Sequence, residues 1–351
     1  MLLYLHIPFC DSKCFYCAFN SYSNLFHLKK TYMEALKLQL KSALTTHNQT
    51  IETLFIGGGT PSCIEALEYK EVFDIINPYL KNNAEITVEA NPNSATHKWL
   101  QQMFTYGVNR ISFGVQSFNE KKLTFLGRSH NAQKAQEAIQ EAQKVGFKKI
   151  NCDLIYGVVN DTMESLKKDI DIIKSFGVDH ISAYSLILEE GTKFFQKNSL
   201  KIDDELLSKE LFEYLENKGY KQYEIANFAQ SKSSQSLHNI GYWQHKEYLG
   251  IGAGAVGYVN YKRAYTHKDI EKYIQAPLEY EEEILSKEDI KMEKVLLGFR
   301  CFIGVEMSLF TPNEKVRVEH LIEENKVYIK DNTLFTKEYL LADELALYIL
   351  D

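Results

Sequence analysis

The chain has 351 residues and a formal net charge of −7, with 45% hydrophobic and 25% charged residues. The acidic balance argues against a general nucleic-acid-binding protein, because neutralising phosphates requires a basic face, and no run of about 18 apolar residues suggests a membrane span. The start, MLLYLHIPF, has no basic region typical of a signal peptide and predicts a strand. Six cysteines in such a chain are expected to stay reduced in the cytoplasm, which directs attention to metal or redox chemistry.

Strand-like and helix-like segments alternate through the first half of the chain. Each predicted strand precedes helical sequence: 2–7 then 28–44, 53–56 then 64–80, 85–90 then 96–106, 110–116 then two short helices, 149–157 then 162–176, and 180–188 then 204–218. Such strand–helix units are what a parallel sheet with crossover helices requires. Periodicity alone fits an open doubly wound sheet and a partial (β/α) barrel about equally.

The pattern changes after about residue 225. The stretch AQSKSSQS at 229–236 is small, polar and rich in serine, and it predicts a mobile loop. From residue 285, two helices, a strand pair and a last helix are predicted, in the order of a small winged-helix-like α+β domain. We therefore expect three parts: a barrel domain at 1–225, a glycine- and aromatic-rich connecting segment at 226–284, and a C-terminal domain at 285–351.

Three cysteines, Cys10, Cys14 and Cys17, lie within eight residues, directly after the first predicted strand. Thiolates are soft donors suited to zinc or to iron–sulfur clusters, and this spacing lets all three converge on one centre. A cluster held by three cysteines keeps one iron open to a ligand, and Phe19 follows where a further cysteine would close the site. The spacing favours an iron–sulfur cluster, and structural zinc with His6 as its fourth ligand is the alternative.

Candidate ligand-binding residues follow the next predicted strands. Gly57, Gly58 and Gly59 end the second strand, and glycine admits a ligand against the backbone, although a tight turn would use it too. Ligands of parallel α/β sheets and barrels lie at the carboxyl ends of the strands. The polar residues at such ends are Glu89, Gln116 and Asp153, with Arg128 as a candidate cation. Together with the cysteines, they predict one shared pocket.

These motifs resemble a known family. YLHIPFCDSKCFYCAF, followed in order by GGGTP, VEANP, SFGVQSF, LGRSH and DLIYG, is similar to the oxygen-independent coproporphyrinogen III oxidase family of the radical S-adenosylmethionine (SAM) superfamily. The resemblance implies a partial (β/α)6 barrel with parallel strands, a [4Fe–4S] cluster on the three cysteines, and SAM as the source of a 5′-deoxyadenosyl radical. The positions implied to contact SAM are Tyr4, Tyr16, Gly58, Gly59, Thr60, Glu89, Gln116, Arg128 and Asp153, of which the last three face a second SAM in the oxidase.

Two departures separate the chain from the oxidase. Its first strand begins at once, without the oxidase's N-terminal extension, and Phe19 stands where the oxidase carries a further cysteine. A third feature, HNIGYW at 238–243, resembles the signature of a haem-chaperone branch of the family. There His238 offers an imidazole to haem iron, and Tyr242 and Trp243 pack on the porphyrin. His245 is a competing ligand.

The resemblance implies a haem chaperone that binds haem as cargo and passes it to acceptor haemoproteins, with membrane respiratory proteins among the candidates, and that needs an electron donor. The alternative is a coproporphyrinogen III oxidase that decarboxylates its substrate oxidatively to protoporphyrinogen IX. Whether the protein is an enzyme therefore stays open, and no catalytic residue is assigned. The sequence does not identify the acceptors, the number of SAM molecules or the oligomeric state, for which a homodimer is the commonest form in general.

Overall fold

A computed structural model describes residues 1–202 and 205–351. The strands are β1 (Leu2–Ile7), β2 (Ile51–Gly58), β3 (Leu80–Ala90), β4 (Arg110–Gln116), β5 (Lys149–Tyr156), β6 (His180–Ser185), β7 (Lys221–Gln222), β8 (Asn227–Ala229), β9 (Tyr248–Ile251), β10 (Val256–Val259), β11 (Lys262–Thr266), β12 (Tyr280–Ile284), β13 (Val305–Glu306), β14 (Val327–Lys330) and β15 (Thr333–Thr336). The helices are α1 (Lys29–His47), α2 (Tyr69–Ile76), α3 (His97–Thr105), α4 (Glu120–Leu126), α5 (Ala132–Val145), α6 (Met163–Ser175), α7 (Glu205–Asn217), α8 (Leu237–Trp243), α9 (Ile270–Gln275), α10 (Lys287–Phe299), α11 (Pro312–Glu323) and α12 (Ala342–Leu350).

The strands β1 to β6 lie side by side in chain order and are all parallel. On its other side β1 pairs in parallel with β9, and the antiparallel strands β10, β11 and β12 extend the sheet beyond it. At the opposite edge, β8 and β7 add two short antiparallel strands. The predicted partial (β/α) barrel with parallel strands is confirmed, and the sheet is longer at both edges than the sequence pattern indicated.

The predicted elements of the first half are confirmed with shifted ends. The third strand, predicted from residue 85, begins at Leu80, and the helix predicted over 64–80 is α2 flanked by short 3₁₀ turns. The helix predicted over 204–218 starts outside the described residues, and the corresponding helix α7 is described from Glu205. Helix ends shift because capping residues, which periodicity does not reveal, decide where the last turns form.

Two main hydrophobic cores lie on either side of residue 285. The larger core packs the crossover helices on the parallel strands and extends from Leu3 to Tyr273. The smaller core lies between Val295 and Ile349, where α10, α11 and α12 pack around the three-stranded sheet β13–β15–β14. The predicted winged-helix-like α+β part is confirmed, while the division into three parts remains a proposal. Among the described helices, none is both long and apolar enough to cross a bilayer.

The serine-rich segment at 229–236, predicted as a mobile loop, is exposed at 230–233 and anchored to the protein at its C-terminal end. Ser234 and Ser236 are buried. Arg110 Nη1 donates to the carbonyl oxygen of Ser234 at 2.7 Å, and the backbone N–H of Ser236 donates to the Tyr223 hydroxyl at 3.1 Å. Serine is small enough to be buried once its polar groups are hydrogen-bonded inside the protein, and composition alone does not reveal this anchoring.

Candidate functional site

Three free cysteines line one cavity at the carboxyl ends of the parallel strands. Cys10, Cys14 and Cys17 lie in the loop after β1, are half-buried, and line a cavity of about 390 Å³. Thr60 Oγ1 lies 3.3 Å from Cys10 Sγ, and Arg128 Nη1 donates to Cys14 Sγ at 3.2 Å. Burial raises the pKa of the Cys10 and Cys17 thiols. These two thiols therefore ionise readily only when a metal centre displaces their protons.

The donor set fits an iron–sulfur cluster better than a single zinc ion. Within the described residues, no three His, Cys, Asp or Glu side chains converge closely enough to hold one metal ion, whereas a cubane cluster takes each thiolate on a different iron. His6, the fourth ligand of the zinc alternative, has both ring nitrogens engaged. Its Nδ1 lies 2.9 Å from the Tyr4 hydroxyl, and its Nε2 lies 2.8 Å from the carbonyl oxygen of Asn20. The zinc alternative is therefore not supported.

The glycines at the end of β2 bring bare backbone to the cavity wall. Gly58 has a φ of 109°, in the region that favours glycine. A Cβ on Gly59 would lie 2.7 Å from the carbonyl oxygen of Phe9, closer than real contacts allow. The Gly58 N–H donates to Glu89 Oε2 at 3.1 Å, so the glycine backbone also orients this carboxyl group. Glycine is therefore required here by the close approach of two chain segments.

Two carboxyl groups of different acidity share the cavity. Burial, followed by the nearby charge of Asp153, raises the pKa of Glu89 to about 8. Burial also raises the pKa of Asp153, but hydrogen bonds from Asn151 and Ser182 and the Arg128 cation oppose it, and the value is about 6. Asn151 Nδ2 donates to Asp153 Oδ1 at 2.7 Å. At neutral pH Glu89 is thus mostly protonated and able to donate a hydrogen bond, whereas Asp153 is mostly ionised.

Arg128 connects the cysteine loop to β4. Besides its bond to Cys14, its Nη2 donates to the carbonyl oxygen of Gly114 at 2.5 Å. Its Nε is buried and has no hydrogen-bond partner in the part of the chain that the structure describes. Next to it, burial raises the pKa of the Tyr16 hydroxyl. A buried guanidinium with an unsatisfied N–H is costly, so this atom indicates that an acceptor from a ligand completes the site.

All but one of the residues predicted to bind the cluster or SAM line this cavity. They are Cys10, Cys14, Cys17, Tyr16, Gly58, Gly59, Thr60, Glu89, Gln116, Arg128 and Asp153. Tyr4 instead lines a second cavity, and its ring stacks on Phe55, a residue that lines the first cavity, with centroids 6.2 Å apart. Successive side chains of a strand point to opposite faces, and Tyr4 shares its face with His6. The predicted contact between Tyr4 and SAM therefore stays a prediction.

Sequence reasoning missed several polar residues of the same cavity. These are Arg110, Ser112, Asn151, His180 and Ser182. Ser112 and Gln116 lie on one face of β4, and Asn151 and Asp153 lie on one face of β5. Polar residues at alternate positions of buried strands were the signal that could have revealed them.

The predicted haem residues do not share one surface. His238 is buried in α8, with Nδ1 2.7 Å from Thr53 Oγ1. Its ring lies against Phe55 and Tyr242, with centroid distances of 5.1 and 4.7 Å. Among the described residues, neither His238 nor Trp243 lines either of the two cavities. Tyr242 alone of the three predicted haem residues in the motif lines the second cavity. The predicted ligation of haem iron by His238 is therefore not supported by its position.

The burial of His238 has an electrostatic consequence. Desolvation lowers its pKa to about 3, so the imidazole is neutral at physiological pH. Its Nε2 and the Trp243 Nε1 are buried without hydrogen-bond partners among the described residues. His238 therefore packs in the interior against the ring of Tyr242, whereas Trp243 is half-buried and only its Nε1 is enclosed.

The second cavity measures about 820 Å³ and lies where β1 and β9 to β11 meet α10. Its aromatic walls are Tyr4, Tyr242, Tyr248 and Tyr258, and His245 lies among them. Ala18 and Phe19, which directly follow Cys17, line both cavities. The cysteine loop thus forms a wall that the two cavities share. Hereafter the first is called the cysteine cavity and the second the tyrosine cavity.

Comparisons with known proteins agree with this architecture. Residues 4–173 match the model of the Radical SAM superfamily. The chain is 34% identical over 324 residues to the heme chaperone HemW of Bacillus subtilis, and this match covers 88% of this chain and 85% of the relative. It is 35% identical over 333 residues to the heme chaperone HemW of Lactococcus lactis, and that match covers 92% of this chain and 87% of the relative. The structure of coproporphyrinogen III oxidase (HemN) from Escherichia coli, a radical SAM enzyme, is similar with a TM-score of 0.85 and 20% identity, covering 99% of this chain and 89% of that one. At that identity the likeness concerns the fold alone. The first two relatives show that the chain belongs to the HemW family of the Radical SAM superfamily.

Proposed function

We propose that the protein is a radical SAM haem chaperone, which binds haem and transfers it to acceptor haemoproteins with the help of a [4Fe–4S] cluster and SAM. The observation that carries the proposal is the cysteine cavity, which gathers three free thiols, bare glycine backbone and a buried, incompletely satisfied Arg128. The cargo is inferred from relatives that are named heme chaperones and match about nine tenths of the chain.

In this proposal Cys10, Cys14 and Cys17 hold the cluster. The Thr60 hydroxyl is placed to donate to the Cys10 thiolate, and Arg128 stabilises negative charge on Cys14. When bound, the cluster supplies the electron for reductive chemistry on SAM. No further cysteine lines the cavity within the described residues, so a cluster held by these three would keep one iron without a thiolate ligand.

The remaining residues of the cavity are suited to SAM itself. Gly58 and Gly59 line the cavity with backbone atoms, which can hydrogen-bond a ligand. Protonated Glu89 can donate a hydrogen bond to a ribose hydroxyl, and ionised Asp153 can accept hydrogen bonds or pair with a cation. The orphaned Nε of Arg128 can donate to an oxygen atom of the ligand.

We further propose a cytoplasmic location, an electron donor for the cluster, and acceptor haemoproteins among which membrane respiratory proteins are the first to test. A homodimer is the first oligomeric state to test. Oxidative decarboxylation of coproporphyrinogen III remains the alternative activity, and the likeness of fold to the Escherichia coli oxidase gives it no further support.

The proposal is tested by reconstituting the protein anaerobically with iron and sulfide and titrating it with haem, with and without SAM. We expect a brown protein with broad absorption near ~400 nm that bleaches on reduction, a haem complex, and release of that haem to an apo-haemoprotein. Cys14→Ala should lose the cluster, whereas the matched control Cys63→Ser, outside the cavity, should keep it. A colourless protein containing zinc, or failure to bind haem, would refute the proposal. Conversion of coproporphyrinogen III with SAM and a reductant would favour the alternative.

A further inference from the structure

The tyrosine cavity has walls suited to a large planar ligand. Tyr242 and Tyr248 meet edge to face with centroids 4.7 Å apart, and Tyr258 lies 6.3 Å from Tyr248. At about 820 Å³ the cavity is roughly twice as large as the cysteine cavity. Aromatic walls of this kind favour a flat apolar body, because rings pack against it in stacked or edge-on arrangements.

A histidine in this cavity is held as metal-binding histidines commonly are. His245 Nε2 lies 2.7 Å from Glu293 Oε2, and the other oxygen of Glu293 accepts from Arg263 Nη2 at 2.5 Å. A metal-ligating imidazole typically donates its second N–H to a carboxylate, which fixes the ring and raises its basicity. Within the described residues, His245 Nδ1 has no hydrogen-bond partner. It is also not one of the fully buried polar atoms that lack a partner. This nitrogen is therefore free to bind a metal from the cavity.

The backbone at His245 is also unusual. Its φ is 54°, in the left-handed region that residues other than glycine rarely adopt. Such conformations persist where the surroundings fix them, often at binding sites. Here the imidazole is held by its bond to Glu293 on α10 and by the ring of Tyr258, which lies 4.7 Å away at an interplanar angle of 69°.

The charges of the cavity suit a ligand that carries carboxylates. Lys246 and Arg300 line it and are already paired with Glu52 and Asp343. Lys268 also lines it, is exposed, and has no carboxylate partner within the described residues. A planar metal macrocycle with carboxylate side chains would thus contact the tyrosine rings, the oriented imidazole of His245 and the ammonium group of Lys268.

We propose that the tyrosine cavity is the haem site and that His245, through Nδ1, ligates the iron, while Lys268 pairs with a propionate. This inference rests on the proposed haem-chaperone function and assigns its cargo site. Glu293 is a positioning residue that acts through His245. His238 is buried on the far side of Tyr242, so it packs against the Tyr242 ring and does not contact the iron.

The test is haem titration of anaerobically purified variants, with absorption and resonance Raman spectra of the ferric complex. His245→Ala should weaken haem binding at least about tenfold and lose the histidine-ligation signature, and added imidazole should restore it. Glu293→Gln should retain ligation with a weaker iron–imidazole vibration. His238→Ala should retain the ligation signature. His267→Ala is the matched control, since its ring lies outside both cavities near Glu279, and it should behave as wild type.

The outcomes separate this inference from the proposed function. If the wild-type protein does not bind haem, both fail. If it binds haem and His245→Ala keeps the wild-type spectrum, or if only His238→Ala loses ligation, the proposed function stands and this inference is refuted. Cluster absorption and circular dichroism report whether His245→Ala folds. If it does not, an unchanged vibration and affinity in Glu293→Gln refute the inference.

A second probe examines the carboxylate contact. Haem dimethyl ester has neutral side chains, so the wild-type protein should bind it more weakly than haem. Lys268→Gln should bind the two forms with nearly equal affinity. An undiminished preference of Lys268→Gln for the free acid would refute the assignment of Lys268.

Discussion

Glu89 should make the stability of the protein fall as the pH rises. Burial and the nearby charge of Asp153 raise its pKa from the ordinary 4.5 to about 8. The folded protein therefore keeps a proton on Glu89 in a pH range where the unfolded chain has already released it. Since the folded state binds more protons there, stability falls as the pH rises from about 4.5 and levels off above about 8.

The size of the effect follows from the shift. Each pKa unit corresponds to about 1.4 kcal/mol, so Glu89 alone should lower the free energy of unfolding by ~4 kcal/mol between pH 5 and pH 9. Glu89→Gln replaces the carboxyl group with a neutral one of nearly the same shape that still accepts the bond from the Gly58 N–H. The variant should therefore lack this component and be more stable than the wild type at pH 9.

The measurement is the free energy of unfolding in urea at pH 5, 7 and 9 for the wild type and Glu89→Gln, both without the cluster. The difference between the two proteins isolates Glu89 from the other titrating groups. Exposed Glu65→Gln is the control and should follow the wild type. If Glu89→Gln shows the same loss of stability with pH as the wild type, then Glu89 is ionised in the folded protein at neutral pH and cannot be the hydrogen-bond donor of the cysteine cavity.

Three further substitutions test single contacts. Gly59→Ala places a Cβ 2.7 Å from a backbone carbonyl oxygen, so we expect a loss of ~1–3 kcal/mol in urea unfolding and weaker SAM binding by calorimetry. Arg128→Met removes the donor to Cys14 Sγ, so less iron per chain should remain after reconstitution, and unchanged iron would contradict that role. Thr53→Val leaves the buried His238 imidazole without its partner, which should lower stability by ~1–3 kcal/mol while the haem-ligation spectrum persists.

The sequence was informative wherever a pattern is local. Alternating strands and helices predicted the parallel sheet, and polar residues at strand ends predicted the shared cavity of Glu89, Gln116 and Asp153. The grouping of the three cysteines could be predicted from their spacing alone, because residues of one short loop lie close together in any fold. Local patterns succeed here because the carboxyl ends of parallel strands meet at one edge whatever the details of packing.

What sequence reasoning could not supply depends on contacts distant in the chain. β9 pairs with β1 although more than 240 residues separate them, and nothing in YLGI predicts that partner. The tyrosine cavity needs this pairing, together with α10 from the C-terminal part. His238 looked like a ligand because imidazole and aromatic rings stand together in HNIGYW, but the helix directs its ring to Thr53 in the interior. Which way a side chain points is decided by such long-range packing.

The cysteine loop is hydrogen-bonded to the chain segment that lines the tyrosine cavity. Asn20, three residues after Cys17, donates to the carbonyl oxygens of Ala253 and Lys268 at 3.0 and 2.8 Å, and the Tyr22 hydroxyl donates to the latter at 3.0 Å. The loop that carries the thiols is thus tied to the segment that carries Lys268 of the tyrosine cavity. If binding of a metal centre moves Cys17, these bonds and the wall shared at Phe19 connect that movement to the tyrosine cavity. Coupling between two sites is reciprocal, so if the cluster changes the affinity of the tyrosine cavity for haem, haem must change the affinity of the cysteine cavity for the cluster by the same factor.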